Sequence, residues 1–425
     1  MQEAFLYYLW KNRLFESSEL STVNNEKIEI INPGQRNDDS GPDFFNARIR
    51  IDGFLWAGNV EIHVKSSDWF KHGHTKDRAF DTVILHVVYI ADVAIKRADG
   101  NTIPTIELRG KYDENRWQHY LDLMHGASKW VPCEKNFLDV PEIIRHQWFD
   151  RLLVERLEER TKSIKELFIQ TKHNWEESFY RHLSRSFGFR VNTIPFEILS
   201  SSLPLATIGR HKNQLIQIEA FLYGTAGFLG GIPDDYYTKE LKKEYRLLQV
   251  KFGLKPMSVH LWKFGRLRPG NFPTIRIAQL ASLLYHHEQL FDSVIHVNGF
   301  AELIEMLDVT ASPYWSRHYS FEASSEFSEK NLGRSSIESL IINSIAPFTF
   351  FYGQYHQQDH LIQKSLVWLE KCKSENNLIL RGWEQIGLKV KDAAGSQALL
   401  HQKKMYCDFK KCVNCGIGNY LLQHP

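Results

Sequence analysis

The N-terminal part of the chain carries short runs of apolar residues at strand spacing, bounded by polar and Gly- or Pro-containing segments. Asp52-Gly53 stands between two of these runs and is a strong signal for a two-residue hairpin turn. An amphipathic helix is predicted over 3–15, and the polar segment 66–81 has helical tendency. Strands are predicted at 27–31, 44–51, 55–65, 82–90 and, as an edge strand that tolerates Pro104, 102–110.

After about residue 140 the apolar residues recur at the spacing of amphipathic helices. The first of these helices is predicted over 141–170, with Glu and Arg pairs that are most simply a solvated face. Others are predicted at 174–188, 212–224, 237–250, 275–291, 299–306, 336–346 and 358–373. We therefore expect an α/β domain over 1–135, an α-helical domain over 136–395 and a C-terminal cysteine segment over 396–425.

The composition adds little to this picture. Of 425 residues, 43% are hydrophobic and 24% charged, which is ordinary for a soluble globular protein. A net charge of +2 neither excludes nucleic acid nor argues for it, so any basic surface must be local. There is no signal-peptide pattern and no apolar run near the ~20 residues that a membrane span needs. Five cysteines in a chain without an export signal indicate the cytoplasm and reduced thiols.

Three titratable residues share one face of the second hairpin strand. Glu61, His63 and Lys65 are spaced by two, so their side chains point the same way. A regular hairpin around Asp52-Gly53 places Asp43 opposite residue 62, next to Glu61 and His63. Two carboxylates that converge from adjacent strands suit a hard divalent cation such as Mg²⁺. A nearby lysine can orient an attacking water or stabilise negative charge on a phosphate.

This arrangement resembles the PD-(D/E)XK nuclease superfamily, in which a Pro-Asp opens one strand and an acid and a lysine follow on the next. The predicted order of helix, three strands, helix and strand is similar to the core of that fold. The resemblance implies hydrolysis of phosphodiester bonds in DNA or RNA, with Asp43 and Glu61 holding Mg²⁺ or Mn²⁺. It also implies that Lys65 assists the attack of water, and His63 beside it is a candidate for the same role.

The chain departs from the superfamily pattern at His63, where the pattern has an acid. Either Glu61 supplies the carboxylate from two residues further back, or His63 is itself a metal ligand, or the site is altered. Glu3 or Glu16 is a candidate for the additional acid that some members carry near the first helix. The alternative function is a non-catalytic nucleic-acid-binding or scaffolding protein with a degenerate nuclease fold.

More potential ligands follow the hairpin. Histidines there suit a transition metal such as Mn²⁺ or Zn²⁺, or the role of general base. The secondary candidates for such a ligand or base are His72, His74, Asp77 and His86.

The stretches "GPDF", "VEIHVKSSDW", "ILHVV" and a terminal "CxxCxIGNYLL" also resemble a bacterial family of unknown function. That resemblance supplies no activity.

Three cysteines stand within nine residues near the end of the chain, in the spacing C-x4-C-x2-C. Metal binding is the economical explanation, against free thiols, and Cys133 is the best candidate for a fourth ligand. Four thiolates fit either Zn²⁺ or a [4Fe–4S] cluster. Some nucleases of the superfamily carry an iron–sulfur staple of one distant and three clustered cysteines, although here the lone cysteine follows the strands. The three clustered residues are Cys407, Cys412 and Cys415.

The stretch 259–281 interleaves cations with aromatic residues on a loop that contains Pro and Gly. Such a loop suits phosphate contact and base stacking, and equally suits a structural connection between helices with buried aromatics. Its candidate contacts to DNA or RNA are Lys263, Arg266, Arg268 and Arg276, among Trp262, Phe264 and Phe272.

Overall fold

The strand-forming runs of the N-terminal third fold into one six-stranded mixed sheet. The computed structural model describes residues 1–16, 20–37, 39–97, 99–125, 130–211, 213–232 and 235–424. The strands are β1 (Ile28–Asn32), β2 (Gln35–Arg36), β3 (Phe44–Ile51), β4 (Phe54–Lys65), β5 (Val83–Ile90) and β6 (Thr105–Glu107). Their order is β1-β3-β4-β5-β6, with β2 paired to β3. β1, β3 and β4 are antiparallel, whereas β4, β5 and β6 are parallel.

The hairpin between β3 and β4 has the predicted turn. Asp52 and Gly53 both have positive φ, 46° and 84°, as a type I′ turn requires. Pairing is regular up to Ala47 opposite Gly58, after which Asn46 adopts a φ of 57° and the register shifts by one residue. This β-bulge brings Asp43 to Glu61 rather than to residue 62.

Several helices belong to the same unit as the sheet, and the apolar spacing predicts the first of them. The helix α1 (Glu3–Asn12) buries Phe5, Leu9 and Trp10 in a core shared with apolar residues of β3, β4 and β5. Between β4 and β5 lie the short helix α2 (Asp68–Lys71) and two 3-10 turns. A further helix, α3 (Glu114–His125), was not predicted because its sequence is mostly polar and buries Tyr120 alone.

The described residues divide into two compact units. The first comprises Met1–Trp148, Gln385–Gly387 and Gln402–Pro425, and it contains the sheet. The second comprises Phe149–Glu384 and Leu388–His401, and it is helical. The predicted C-terminal segment 396–425 is therefore shared, since its first residues belong to the second unit and the rest to the first.

The second unit is built almost entirely from helices around one apolar core. The predicted helix 275–291 is broken between His286 and Leu290, and that at 336–346 continues through a π-helical turn to His356. None of the helices in the described ranges combines the length and apolar character needed to span a bilayer. The helices α4 to α17 are Glu142–Gln170, Trp175–Phe187, Thr193–Ser202, Leu205–Gly209, Leu215–Thr225, Tyr236–Phe252, Pro273–His286, Leu290–His296, Phe300–Leu307, Arg334–Leu340, Ala346–His356, Asp359–Lys371, Leu378–Gln385 and Ala393–His401.

The C-terminal residues of the first unit form a compact turn structure. A π-helical segment, Gln402–Cys407, is followed by a 3-10 turn, Cys412–Asn414, and by helix α18 (Gly416–Gln423). Arg116 of α3 donates to the backbone oxygen of Leu422, which ties α18 to the N-terminal residues of the unit.

Candidate metal centre

Asp43 and Glu61 meet at the end of the hairpin. The backbone N–H of Asp43 donates to Oε2 of Glu61 at 3.1 Å, and the N–H of Ile62 donates to Oδ2 of Asp43 at 2.9 Å. These reciprocal bonds fix both carboxylates relative to the strands. The sequence-based expectation that the two side chains lie together agrees with this geometry.

The carboxylate of Asp43 is already engaged by other groups of the chain. Its Oδ1 accepts from Arg36 at 3.0 Å, and the Arg36 guanidinium stacks on Tyr7 at 3.8 Å. Tyr7 lies beside both Asp43 and Glu3, and burial raises the pKa of each of these three groups. Asp43 therefore holds Glu61 and Arg36 in place, and its oxygens face protein donors.

Glu61 instead turns its second oxygen towards histidines. Oε1 lies 3.2 Å from Nε2 of His74 and 3.6 Å from Nε2 of His63. Nε2 of His63 is also 3.0 Å from Nδ1 of His72. Within the described ranges, one set of three potential ligand groups lies within 4.8 Å of one another, and it consists of His63, His72 and His74.

His86 completes what we call the histidine cluster, defined as His63, His72, His74 and His86. It pairs with Glu61 across β4 and β5, and its Nε2 lies 2.8 Å from Nδ1 of His63. A metal on Nε2 of His63 leaves Nδ1–H to donate to His86, which fixes the ring as a second-shell partner does. His86 is fully buried, and its own Nδ1 finds no partner among the described residues.

Burial controls the protonation of the inner histidines. It lowers the pKa of His63 to about 2 and that of His86 to about 3, with further lowering from neighbouring imidazoles. Burial raises the pKa of Glu61, and the hydrogen bond with His74 partly offsets that rise. Neutral imidazole is the form that binds metal, so burial holds His63 in its ligand form at neutral pH.

The spacing of these atoms suits a transition metal better than Mg²⁺. Ligands at about 2.0–2.1 Å from a tetrahedral ion lie about 3.4 Å apart, and the observed separations of 3.0, 3.2 and 3.6 Å bracket that value. Mg²⁺ prefers oxygen ligands, whereas imidazole suits Zn²⁺ and related ions. The residues that fit a metal are His63, His72, His74 and Glu61.

The turns between β4 and β5 explain how distant histidines converge. The carboxylate of Asp68, the first residue of α2, accepts the backbone N–H of Lys65 at the end of β4. Trp69 is almost fully buried, bonds to Thr75 and packs edge-on against His74 and His86. This anchor folds the segment back over β4, which places His72 and His74 beside His63.

Two predicted residues lie outside the hydrogen bonds of this cluster. The carboxylate of Asp77 accepts the N–H of Ala79 and so caps a 3-10 turn. Lys65 ends β4 with an exposed side chain, two residues beyond His63 on the same face of the strand. Asp77 thus has a local structural contact, and Lys65 points towards solvent beside the site.

The four cysteines selected from the sequence are brought together in the first unit. Cys133 lies close enough to interact electrostatically with the sulfurs of Cys407, Cys412 and Cys415. All four are buried and are free thiols, as is Cys372 in the second unit. We call the four residues of the first unit the cysteine cluster.

The structure separates the candidate cations of the basic loop in the second unit into three exposed residues and one buried residue. Lys263, Arg266 and Arg268 are exposed. Arg276 is 4% exposed and bonds to Asn271, Gln279 and Ser336, so its guanidinium stabilises the fold locally. The aromatic residues are also engaged: Trp262 is buried and donates to a backbone oxygen, and Phe264 packs edge-on against Phe272. The three exposed cations are thus free of the burial that holds Arg276, and the buried position of Trp262 disfavours base stacking by its indole.

Sequence reasoning missed Tyr7 and Arg36. Arg36 lies on the two-residue strand β2, which is too short to recognise by its pattern. The side-chain amide of Asn37 donates to three backbone oxygens of the turn before Asp43, at Asp39, Ser40 and Pro42. An Asn followed by Asp, Ser, Gly and Pro is a turn signal, and it was the available hint that this loop folds tightly.

The chain belongs to a family described as "Protein of unknown function (DUF2851)", whose model matches residues 3–378. No curated protein and no solved structure matches it. The family description assigns no activity, so the resemblance to PD-(D/E)XK nucleases remains a prediction.

Proposed function

We propose that the first unit is a metal-dependent nuclease that hydrolyses phosphodiester bonds in DNA or RNA. One observation carries the proposal: Glu61 is hydrogen-bonded to the backbone of Asp43 and faces a cluster of histidine nitrogens at metal-ligand spacing. The order of helix, antiparallel strands, short helix and parallel strand adds support, because it resembles the core of the nuclease superfamily.

The proposed metal ligands are His63, His72, His74 and Glu61, and the ion is a transition metal such as Mn²⁺ or Zn²⁺. His63 and Glu61 are almost fully buried, which holds them in one geometry, whereas His72 is exposed. The centre is therefore open on the side of His72, where a substrate phosphate can approach. Divalent metals in such sites polarise a phosphoryl oxygen and lower the pKa of a bound water.

The other residues of the site orient ligands and charges. Asp43 orients Glu61 through its backbone N–H and is itself paired with Arg36. With a metal on Nε2 of His63, the Nδ1–H of that ring would donate to Nε2 of His86, which would fix the ring. Lys65, exposed at the end of the same strand face, is suited to neutralise a phosphate oxygen that gains charge in the transition state. Lys263, Arg266 and Arg268 are proposed as phosphate contacts outside the reacting group.

The test is a cleavage assay of the full chain with single-stranded DNA, duplex DNA and RNA, each with Mg²⁺, Mn²⁺ or Zn²⁺. We expect cleavage that requires a divalent ion and is highest with a transition metal. His72→Ala should reduce the rate and weaken Mn²⁺ binding measured by calorimetry.

His146→Ala is the matched control, because His146 is another exposed histidine of the first unit with an acidic neighbour at helical spacing. It should leave cleavage and Mn²⁺ binding unchanged. Wild-type chain that binds nucleic acid without cleaving it, whichever ion is added, would favour the non-catalytic binding protein instead.

A further inference from the structure

We propose that Cys133, Cys407, Cys412 and Cys415 bind an iron–sulfur cluster that holds the C-terminal residues of the first unit in place. This site is independent of the proposed nuclease centre. It is carried by the convergence of four buried sulfurs, by their spacing and by a side-chain amide directed at two of them.

The four sulfurs come from parts of the chain that are far apart in sequence. Cys133 follows the sheet and α3, whereas the other three precede α18. Each is at most 8% exposed. Burial raises the pKa of all four thiols, that of Cys412 to about 12, so without a metal they are neutral groups gathered in one place.

Gln402 presents hydrogen-bond donors to this group. Its Nε2 lies 3.4 Å from the sulfur of Cys407 and 3.2 Å from that of Cys415. Its Oε1 accepts from the indole N–H of Trp148 at 2.7 Å. Because an indole can only donate, this bond orients the amide so that its N–H groups face the sulfurs. A buried amide directed at two sulfurs suits thiolates, whose negative charge attracts donors.

The spacing favours a cluster over a single zinc ion. In a tetrahedral Zn²⁺ site with bonds of about 2.3 Å, all four sulfurs lie about 3.8 Å from one another. Here no three of the four sulfurs, all of which belong to the described residues, lie within 4.8 Å of one another. A cluster of several iron atoms needs its ligands further apart than one ion does. Four cysteine thiolates are the ligand set of a [4Fe–4S] cluster.

The surrounding backbone is shaped to bring the sulfurs inward. A Cβ added at Gly418 would lie 2.3 Å from the carbonyl oxygen of Cys412, so the close approach of α18 to the cysteine turn requires glycine there. A Cβ added at Gly416 would likewise lie 2.8 Å from the indole of Trp148. Lys403 and Lys410 lie near Cys407 and Cys412, where they lower the thiol pKa values against the effect of burial.

The experiment uses the full chain purified without oxygen. We expect a brown protein with broad visible absorption and about four iron and four acid-labile sulfide per chain, as [4Fe–4S] requires. Cys133→Ser and Cys412→Ser should each lose most of the iron and the visible absorption.

Cys372→Ser is the matched control, since Cys372 is 1% exposed but belongs to the second unit. Its cost in packing is similar, and its iron content should equal that of wild type. A colourless wild-type protein with one zinc per chain would overturn the proposal, as would metal-free protein whose four thiols all react. Equal loss of iron in Cys372→Ser would also contradict it.

Discussion

The histidine cluster and the cysteine cluster belong to the same compact unit, but their ligands are assembled in different ways. The histidines come from one continuous stretch, β4 to β5, and one of them is exposed. The cysteines come from two segments of the unit that are far apart along the chain, and all are buried. An open centre built on neighbouring strands suits a reaction with an external substrate. A closed centre that joins distant segments suits stabilisation of the fold.

The two clusters also differ in the charged groups that surround them. Carboxylates of Glu3, Asp43 and Glu61 surround the histidine cluster, so a divalent cation there would be partly neutralised. Lysines and an amide surround the cysteine cluster, so they would balance an anionic cluster of thiolates. We therefore expect substitutions at the first centre to change rates and substitutions at the second to change stability.

The largest effect is expected for Glu61→Gln. This change keeps the shape of the side chain but removes the charge that faces His63 and His74. Cleavage should fall by about 10³-fold or more, since charge and coordination are removed together. The melting temperature should change little. A variant that cleaves at more than a tenth of the wild-type rate would mean that Glu61 does not bind the metal.

Cys415→Ser, in contrast, should lower the stability of the fold rather than act directly on cleavage. Because a metal bound only by the native state adds to folding stability, its loss should lower the melting temperature by roughly 10 °C or more. Cys372→Ser should lower it by much less. The two melting curves, recorded without oxygen, are compared directly, and equal shifts would leave the cysteine cluster without a special role.

Asp43→Asn distinguishes a ligand from a residue that orients one. The backbone N–H that donates to Glu61 remains in this variant, but the charge opposite Arg36 is removed. We expect a fall in rate of about 10- to 100-fold, the usual range for a second-shell partner of a metal. If the rate fell as far as in Glu61→Gln, Asp43 would be a metal ligand, as the sequence first suggested.

The basic loop of the second unit should affect binding rather than cleavage chemistry. Replacing Arg266 and Arg268 by Glu should weaken nucleic-acid affinity, because each arginine that pairs with a phosphate displaces counterions from it. The log–log slope of affinity against salt should become shallower by roughly one unit for each arginine that binds a phosphate in the wild-type chain. Affinity is measured by titration at several salt concentrations. Unchanged affinity and slope would mean that the loop has a structural role and does not contact nucleic acid.

A smaller effect concerns His182, a buried histidine of the helical unit. Burial, with Arg160 and Arg185 nearby, lowers the pKa of His182 from 6.5 to about 3. The folded-state pKa is depressed, so the stability that the neutral form gives is present above pH 6.5 and is lost as the pH falls towards 3. His182→Gln should flatten the fall in unfolding free energy over that range. Identical pH profiles for variant and wild type would contradict this.

The sequence predicted the sheet and the meeting of Asp43 with Glu61 because hairpin turns and period-two patterns are local. It did not predict the bulge at Asn46, because a positive φ at one polar residue leaves no periodic pattern in the sequence. His72 and His74 were secondary candidates, since their approach to His63 depends on Trp69 packing into the fold. Gln402 was not recognised, because its contacts with sulfur and Trp148 are set by tertiary packing.

The contrast between an open and a closed centre is tested most directly by chelation of the wild-type chain. Protein purified without oxygen is incubated with EDTA, and its cleavage rate and visible absorbance are followed together before and after Mn²⁺ is returned. We expect that cleavage is lost with EDTA and restored with Mn²⁺, while the visible absorbance stays constant throughout. Cleavage that survives EDTA, or that disappears only together with the absorbance, would contradict it.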